Sequence, residues 1–473
     1  MTHFETFSDV ILFTRGTKGD LYPFLSLGRE LQEKGCKVTL LSNFCYENYA
    51  RQEGFDFVAL DDEELFKTLN NIPEFHSSLS SKLELYRNHI IPNLEKELKI
   101  IESKVIASNT IIVAHSNDYL SPLLAMEKFN VPLYLCMLAP SYVHGFTLFE
   151  AILKNLSIEA NEIRVRIGLE PIVDWKKWLS SFKRCFAFWP DWFSDDAKKN
   201  VSNLECIGFL SIDTLEEKLL QKEIRAFIGE NTKNILITHG TSRPLSDHYF
   251  KLGIEVCQKL DCRVIISTPF RELLPEVLPE NIIWVDFCPF HELLPLVDLI
   301  IHHGGIGTVR ESIVHAIPQL IIGQGFDRQH NARVIKKLGL GDWIAPKMLS
   351  KNILHEKINI LLSDLQIKSK CDKYKLFLCN QDALNVFYES IISQKIGCAQ
   401  DEMIQAKAAK EIKKIANDES PLDNKPIVDN ANISPKRINE IIRDVSNKNN
   451  QSLNKQELLF KMLKNKANDV KAQ

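Results

Sequence analysis

Residues 297–340 read VDLIIHHGGIGTVRESIVHAIPQLIIGQGFDRQHNARVIKKLGL. The run Leu299–Ile301 is continuously apolar, as a parallel strand buried on both faces requires. A turn with Gly304, Gly305 and Gly307 follows, and a helix is predicted from about Thr308. Pro318 comes next, then a second apolar strand (Leu320–Ile322), a loop carrying Asp327, Gln329 and Asn331, and another helix. A strand, a glycine turn and a helix N-terminus together make an anion site. Unpaired backbone N–H groups and the positive end of the helix dipole point at one place. Glycines let the backbone approach the anion, and His302 and His303 add donors beside it. The competing reading is an ordinary strand-to-helix turn with two partly buried histidines. The polar loop one βα unit later weighs against it.

HHGGIGT, then IPQLIIG, then FDRQHNA resembles the donor-binding signature of nucleotide-sugar glycosyltransferases of the GT-B fold. It is similar to the bacterial and sterol enzymes with HHGGAGT-type motifs. The DRQ triplet leans toward the peptidoglycan N-acetylglucosaminyltransferase branch. The resemblance implies that His302, Gly304, Gly305, Gly307 and Thr308 hold a diphosphate, that Glu311 holds a ribose, and that Asp327 and Gln329 hold sugar hydroxyls. Arg328 separates Asp327 from Gln329, where the antibiotic and sterol branch has the pair adjacent. Which side chain touches which hydroxyl therefore stays open.

At 473 residues, two or three domains are expected, each able to bury its own core. A net charge of −3 gives no electrostatic case for a nucleic-acid partner. Eleven cysteines stand singly with no C-x-x-C pair, which reads as buried thiols in a reducing compartment, not disulfides or a zinc site. The N-terminus lacks the basic character of a signal peptide, and no apolar run approaches 18 residues. The expectation is a cytoplasmic protein, at most peripheral at a membrane surface.

The opening of the chain is a βαβ pattern. Val10–Thr14 is a buried strand, the next segment carries Leu21, Phe24, Leu25, Leu27 and Leu31 at helical spacing, Gly35 closes that helix, and Lys37–Leu41 is a strand. GTKGDLYPFLSLGRELQEKGCKVTLLS resembles the N-terminal signature of the same glycosyltransferases. There the aspartate that matches Asp20 is the general base for the acceptor hydroxyl. A carboxylate suits that role, because the hydroxyl becomes acidic only as its new bond forms. The local alternative is a helix N-cap, a favoured place for Asp. Thr17 beside it is an acceptor-side candidate. Thr110–Ala114 is another strand, and His115 and Asp118 follow it, where open α/β sheets bind ligands. Both are acceptor-side candidates that either assist Asp20, contact the acceptor or have no role.

Further strands are expected within EGFDFVAL and at Val131–Leu138, Asn234–His239, Cys262–Ser267 and Asn281–Val285. Four tryptophans (Trp175, Trp178, Trp189, Trp192) and neighbouring phenylalanines form either core, an apolar acceptor pocket or a membrane-facing patch. Gly240 and Thr241 open a loop that in the family faces the donor phosphates. Phe287, with Cys288 and Pro289, matches the segment that packs on the nucleobase. The last helix, within Asp382–Ser393, is the segment that in GT-B enzymes crosses back to the first domain. Beyond Gly397 the chain is polar and charged. It reads either as a disordered tail or as a helical docking segment for a partner protein over 430–470.

The expected architecture is α/β: two Rossmann-like domains facing across a cleft, residues 1–215 for the acceptor and 216–395 for the nucleotide sugar, with 396–473 as a tail. The resemblance implies inverting, metal-independent transfer of a hexosyl group from a UDP- or dTDP-sugar to a hydroxylated acceptor, with no further cofactor. The competing classes are a GT-B sugar-nucleotide epimerase, which lacks a GTKGD-type signature, and a silent sugar-nucleotide-binding scaffold.

Overall fold

Among the described residues, thirteen short strands, all paired in parallel, form two separate sheets. The computed structural model describes residues 7–70, 78–106, 109–194, 201, 203–210, 220–229, 232–240, 248–323, 325–378 and 382–392. The first sheet holds β1 (Asp9–Phe13), β2 (Lys37–Ser42), β3 (Asp56–Ala59), β4 (Thr110–His115), β5 (Leu133–Met137), β6 (Arg184–Ala187) and β7 (Leu204–Cys206). Its order is β3-β2-β1-β4-β5-β6-β7. The second holds β8 (Lys233–Thr238), β9 (Cys262–Ser267), β10 (Ile282–Val285), β11 (Leu299–His302), β12 (Gln319–Ile321) and β13 (Gly341–Trp343), in the order β10-β9-β8-β11-β12-β13.

Alternate side chains of a strand point to opposite faces, and here both faces are covered. On β1, Ile11 and Phe13 join one apolar cluster while Val10 and Leu12 join the other. On β8, Ile235 and Ile237 face one cluster and Leu236 the other. That is why the central strands read as unbroken apolar runs, without alternation. The sequence reading missed β6, β7 and β13, which have only three or four residues each. The segment after Leu340 does not pass straight into helices as expected, because Gly341–Trp343 adds an edge strand to β12.

In each sheet the chain winds one way from a central strand and then returns to wind the other way. The reversals fall between β1 and β4 and between β8 and β11. At such a point the connections leave in opposite directions and open a crevice at the strands' C-terminal ends. These two crevices receive the GTKGD turn with His115, and Gly240 with the histidine–glycine turn.

The aromatic segment is core. Trp175, Trp189, Phe182, Phe186, Phe188 and Phe193 are all buried. Phe186 stacks edge-on at 4.7 Å against Phe387, from a helix over 383–392. That last helix thus lies on the first sheet, although it follows the second in sequence. Among the described residues no helix is long and apolar enough to cross a membrane.

Candidate active site

At the end of β1 the chain turns through Gly16 (φ +136°) into the helix Lys18–Glu33. A Cβ at Gly16 would lie 2.4 Å from Asp20 Oδ2, so glycine is required both for the backbone angle and for space. Thr17, not Asp20, is the N-cap. Asp20 occupies the third helical position and completes a capping box. The Thr17 N–H donates to Asp20 Oδ2 at 2.8 Å, and the Thr17 hydroxyl donates to the same oxygen at 3.0 Å. Both bonds use Oδ2, which leaves Oδ1 to accept from an approaching group.

Across the crevice, β4 ends in His115. Its ring is 1% exposed, and neither nitrogen has a hydrogen-bond partner among the described residues. Burial pushes its pKa below the ordinary value, against the pull of Asp20 and Asp118. Asp118 is committed elsewhere. Arg15 donates to it through Nε (2.5 Å) and Nη2 (2.7 Å) and to Glu97 through Nη1 (2.6 Å). Ser121 donates to the other Glu97 oxygen. Burial alone would leave Glu97 an uncompensated charge, so Arg15 is what lets the carboxylate sit in the interior. Asp118, an acceptor-side candidate from the sequence, therefore ties the β1 turn to the turn after β4. Arg15 had no signal of its own, since its partners are 82 and 103 residues away.

In the second crevice the two histidines diverge. His302 is 0% exposed. Its Nδ1 accepts from the Gly304 N–H (3.2 Å), so Nε2 carries the proton and donates to Gln319 Oε1 at 3.0 Å. Burial pushes its pKa down to about 4. With both nitrogens engaged within the protein, His302 braces the turn. His303 stacks on His239 with ring centres 5.1 Å apart. Its Nδ1 is buried and has no partner among the described residues. Burial, and then Arg328, hold its pKa well below the usual range.

The turn between them is tight. Gly304 has φ +92°, and a Cβ there would sit 2.8 Å from Ile321 Cγ2 and 3.0 Å from the Arg328 carbonyl. Asn331 Nδ2 donates to the Gly304 carbonyl at 2.9 Å. The helix that follows runs Ile306–Val314, two residues earlier than predicted, with Gly305 as N-cap and no side chain capping it. Its first-turn N–H groups at Ile306, Gly307 and Thr308 are thus left for an anion. Asp327, Gln329 and Asn331 were expected in a loop. They lie in the first turns of the helix Phe326–Leu338, which starts directly after Gly325 (φ +105°). An acidic residue favours such an N-terminus.

Two family models match in tandem. The glycosyltransferase family 28 N-terminal domain covers residues 10–144, and the erythromycin biosynthesis protein CIII-like C-terminal domain covers 252–375. The chain belongs to the GT-B glycosyltransferases.

Among relatives of this GT-B chain, the aclacinomycin-T 2-deoxy-L-fucose transferase of Streptomyces galilaeus is 36% identical over 89 residues, 19% of this chain and 20% of that one. The sterol 3-beta-glucosyltransferase of Candida albicans is 23% identical over 82% of this chain and 28% of its own length. The NDP-glycosyltransferase YjiC of Bacillus subtilis is 24% identical over 74% of this chain and 88% of its own. The chain thus spans only about a fifth to a third of the length of the first two. The glycosyltransferase VinC, solved in complex with dTDP, superposes with a TM-score of 0.63 at 16% identity, covering 82% of this chain and 99% of VinC. The kitacinnamycin glycosyltransferase gives 0.65 at 17% identity, with the same shares of the two chains covered. These two likenesses bear on the fold.

Of the remaining GT-B signature residues, Gly240 (φ +66°) abuts the His303 ring, and Thr241 lies outside the described residues, as does the 430–470 segment. Phe287 is partly exposed, whereas the Cys288 thiol is buried and pushed up to about 12 by that burial. Glu311 is paired with Arg310 and approaches His315 at 3.8 Å.

Proposed function

We propose that this chain is an inverting glycosyltransferase that moves a hexosyl group from a nucleoside diphosphate sugar to a hydroxyl, without a metal or further cofactor. The observation that carries the proposal is the content of the two switch-point crevices. One holds a carboxylate with an unengaged oxygen (Asp20), and the other an uncapped helix N-terminus beside an unpaired histidine nitrogen. Negative charge grows on the diphosphate as the glycosidic bond breaks. The N–H groups of 306–308, the helix dipole and His303 would stabilise it without a metal's charge. Asp20 Oδ1 takes the proton of the acceptor hydroxyl as that oxygen attacks the anomeric carbon.

The division into an acceptor half (1–215) and a donor half (216–395) follows from this reading, with Asp327 and Gln329 turned to the sugar and Glu311 to the ribose. The dTDP in VinC and the UDP default of the sequence reading make these two nucleotides the first donors to try. The acceptor is a hydroxylated small molecule, lipid or saccharide. We place the protein in the cytosol, where single buried thiols stay reduced.

Asp20→Asn tests the base. The amide oxygen still accepts from the Thr17 N–H, so the helix cap and nucleotide-sugar affinity should persist. Transfer should fall by about two to four orders of magnitude. An unchanged transfer rate would remove Asp20 from the mechanism.

A further inference from the structure

The peptide unit that joins Gly16 to Thr17 carries the N–H that binds Asp20 Oδ2, and its other end is bound as well. The Tyr46 hydroxyl donates to the Gly16 carbonyl at 2.8 Å, across 30 residues of chain. A trans peptide is planar, and its C=O and N–H point in opposite directions. Tyr46, the Gly16–Thr17 unit and Asp20 therefore form one line of two hydrogen bonds, each 2.8 Å long. The preceding peptide is held too, because the Gly16 N–H donates to Asn43 Oδ1 at 2.9 Å. Asp61 in turn fixes Asn43, accepting from its Nδ2 at 2.6 Å and from the Phe44 N–H at 2.7 Å. Asn43, Tyr46 and Asp61 are all buried. They come from the turn after β2, which includes the short helical segment Phe44–Tyr46, and from the turn after β3. The Tyr46 ring packs in the apolar cluster that holds Leu21 and Phe24 of the helix bearing Asp20, which gives its hydroxyl a set place. Burial, and then Cys45 and Asp20, raise the phenol's pKa, so it keeps the proton it donates.

We propose that Tyr46 is a positioning residue that acts through the Gly16–Thr17 peptide to aim Asp20 Oδ1 at the acceptor hydroxyl. The inference rests on the glycosyltransferase reading and deepens it. Gly16 has φ +136°, a region that glycine enters at little cost, so its own backbone preference does not keep this peptide in one orientation. The bond from Tyr46 does. A hydrogen bond received at a carbonyl also polarises the peptide and strengthens the bond that its N–H donates. Without Tyr46's hydroxyl the Thr17 N–H swings, and the Asp20 carboxylate turns with it about its Cβ–Cγ bond. A general base must lie within hydrogen-bond reach of the proton it takes. A misdirected Oδ1 therefore lowers the transfer rate and leaves donor affinity as it was.

The test uses the full chain with UDP-glucose and dTDP-glucose, and with water and 1-butanol as acceptor hydroxyls. In Tyr46→Phe the rate of nucleotide release should fall about tenfold, the size of one lost hydrogen bond. UDP and dTDP affinities, read by calorimetry, should be unchanged. Adding Tyr46→Phe to Asp20→Asn should lower the rate little further, because the phenol acts only through that carboxylate. Ser42→Ala removes a neighbouring buried bond, from the Ser42 hydroxyl to the Thr14 carbonyl, and should keep the wild-type rate. Hydrogen exchange needs no acceptor, and the Thr17 amide should exchange about tenfold faster in Tyr46→Phe than in the wild-type chain. A wild-type release rate or a wild-type exchange rate in Tyr46→Phe overturns the proposal. An undiminished loss in the Asp20→Asn background also overturns it, since Tyr46 would then be a strut for the whole turn. A full chain that neither binds nor cleaves either sugar nucleotide would instead overturn the glycosyltransferase reading, and this inference with it.

Discussion

At His302 both ring nitrogens are spent inside the turn, on the Gly304 N–H and on Gln319, while the neighbouring His303 keeps an unpaired Nδ1. Substitution separates the two roles. His303→Ala should weaken nucleotide diphosphate affinity several-fold, with a stability cost confined to the vacated buried ring. His302→Ala should leave a buried amide N–H and the Gln319 carbonyl unpaired, costing about 1–3 kcal/mol of stability. Paired chemical denaturation and calorimetry read both effects, and the reverse result would make His302 the phosphate ligand. The two histidines are indistinguishable in HHGG. Only the register of β11 against β12, which sets His302 opposite Ile321 and turns its ring toward Gln319, tells them apart.

Elements whose signal was local were legible. Continuous apolar runs marked the central strands of both sheets, and the spacing of Leu21, Phe24, Leu25, Leu27 and Leu31 marked the first helix, because each pattern spans a full element. Elements of three or four residues left too short a pattern. CFAF at Cys185–Phe188 is such a run, and it was absorbed into the aromatic cluster around it. The helix over 383–392 was anticipated as the segment returning to the first domain, and its packing explains how it holds there. Phe387 is fully buried against Phe186, with Ala383 and Ile391 in the same cluster. Phe387→Ala should cost about 3–5 kcal/mol. Urea denaturation followed by tryptophan fluorescence would read the loss, and a change below about 1 kcal/mol would mean that the helix is dispensable to the first sheet.

For the molecule as a whole, buried neutral histidines couple folding to pH. The His302 pKa is about 4 in the folded chain and 6.5 when unfolded. Between these values the unfolded chain binds the proton that the native chain refuses, so stability rises with pH. The full contribution is present above pH 6.5 and is lost as pH falls through 4, an effect of about 3 kcal/mol for this residue. His115 and His303, also pushed down by burial, act in the same direction. Denaturation midpoints taken between pH 7 and 4 should fall, and a His302→Gln chain should fall less over that interval. Equal slopes for the two chains would show that His302 is not buried neutral.

The fold class, the family and the positions of the two signatures were readable from the residues alone, because strand periodicity and glycine turns are properties of contiguous chain. Asp20 was singled out, but whether it capped the helix or met a substrate was not decidable there. The structure has it complete a capping box with one oxygen while the other stays unengaged. Tertiary structure alone decided the partners. Asp118 is bound to Arg15 across 103 residues, and the short turn Pro140–Tyr142 packs against the helix Phe326–Leu338. Such contacts are set by how two sheets and their crossing helices pack. That packing depends on summed burial over the whole chain, and no local spacing encodes it.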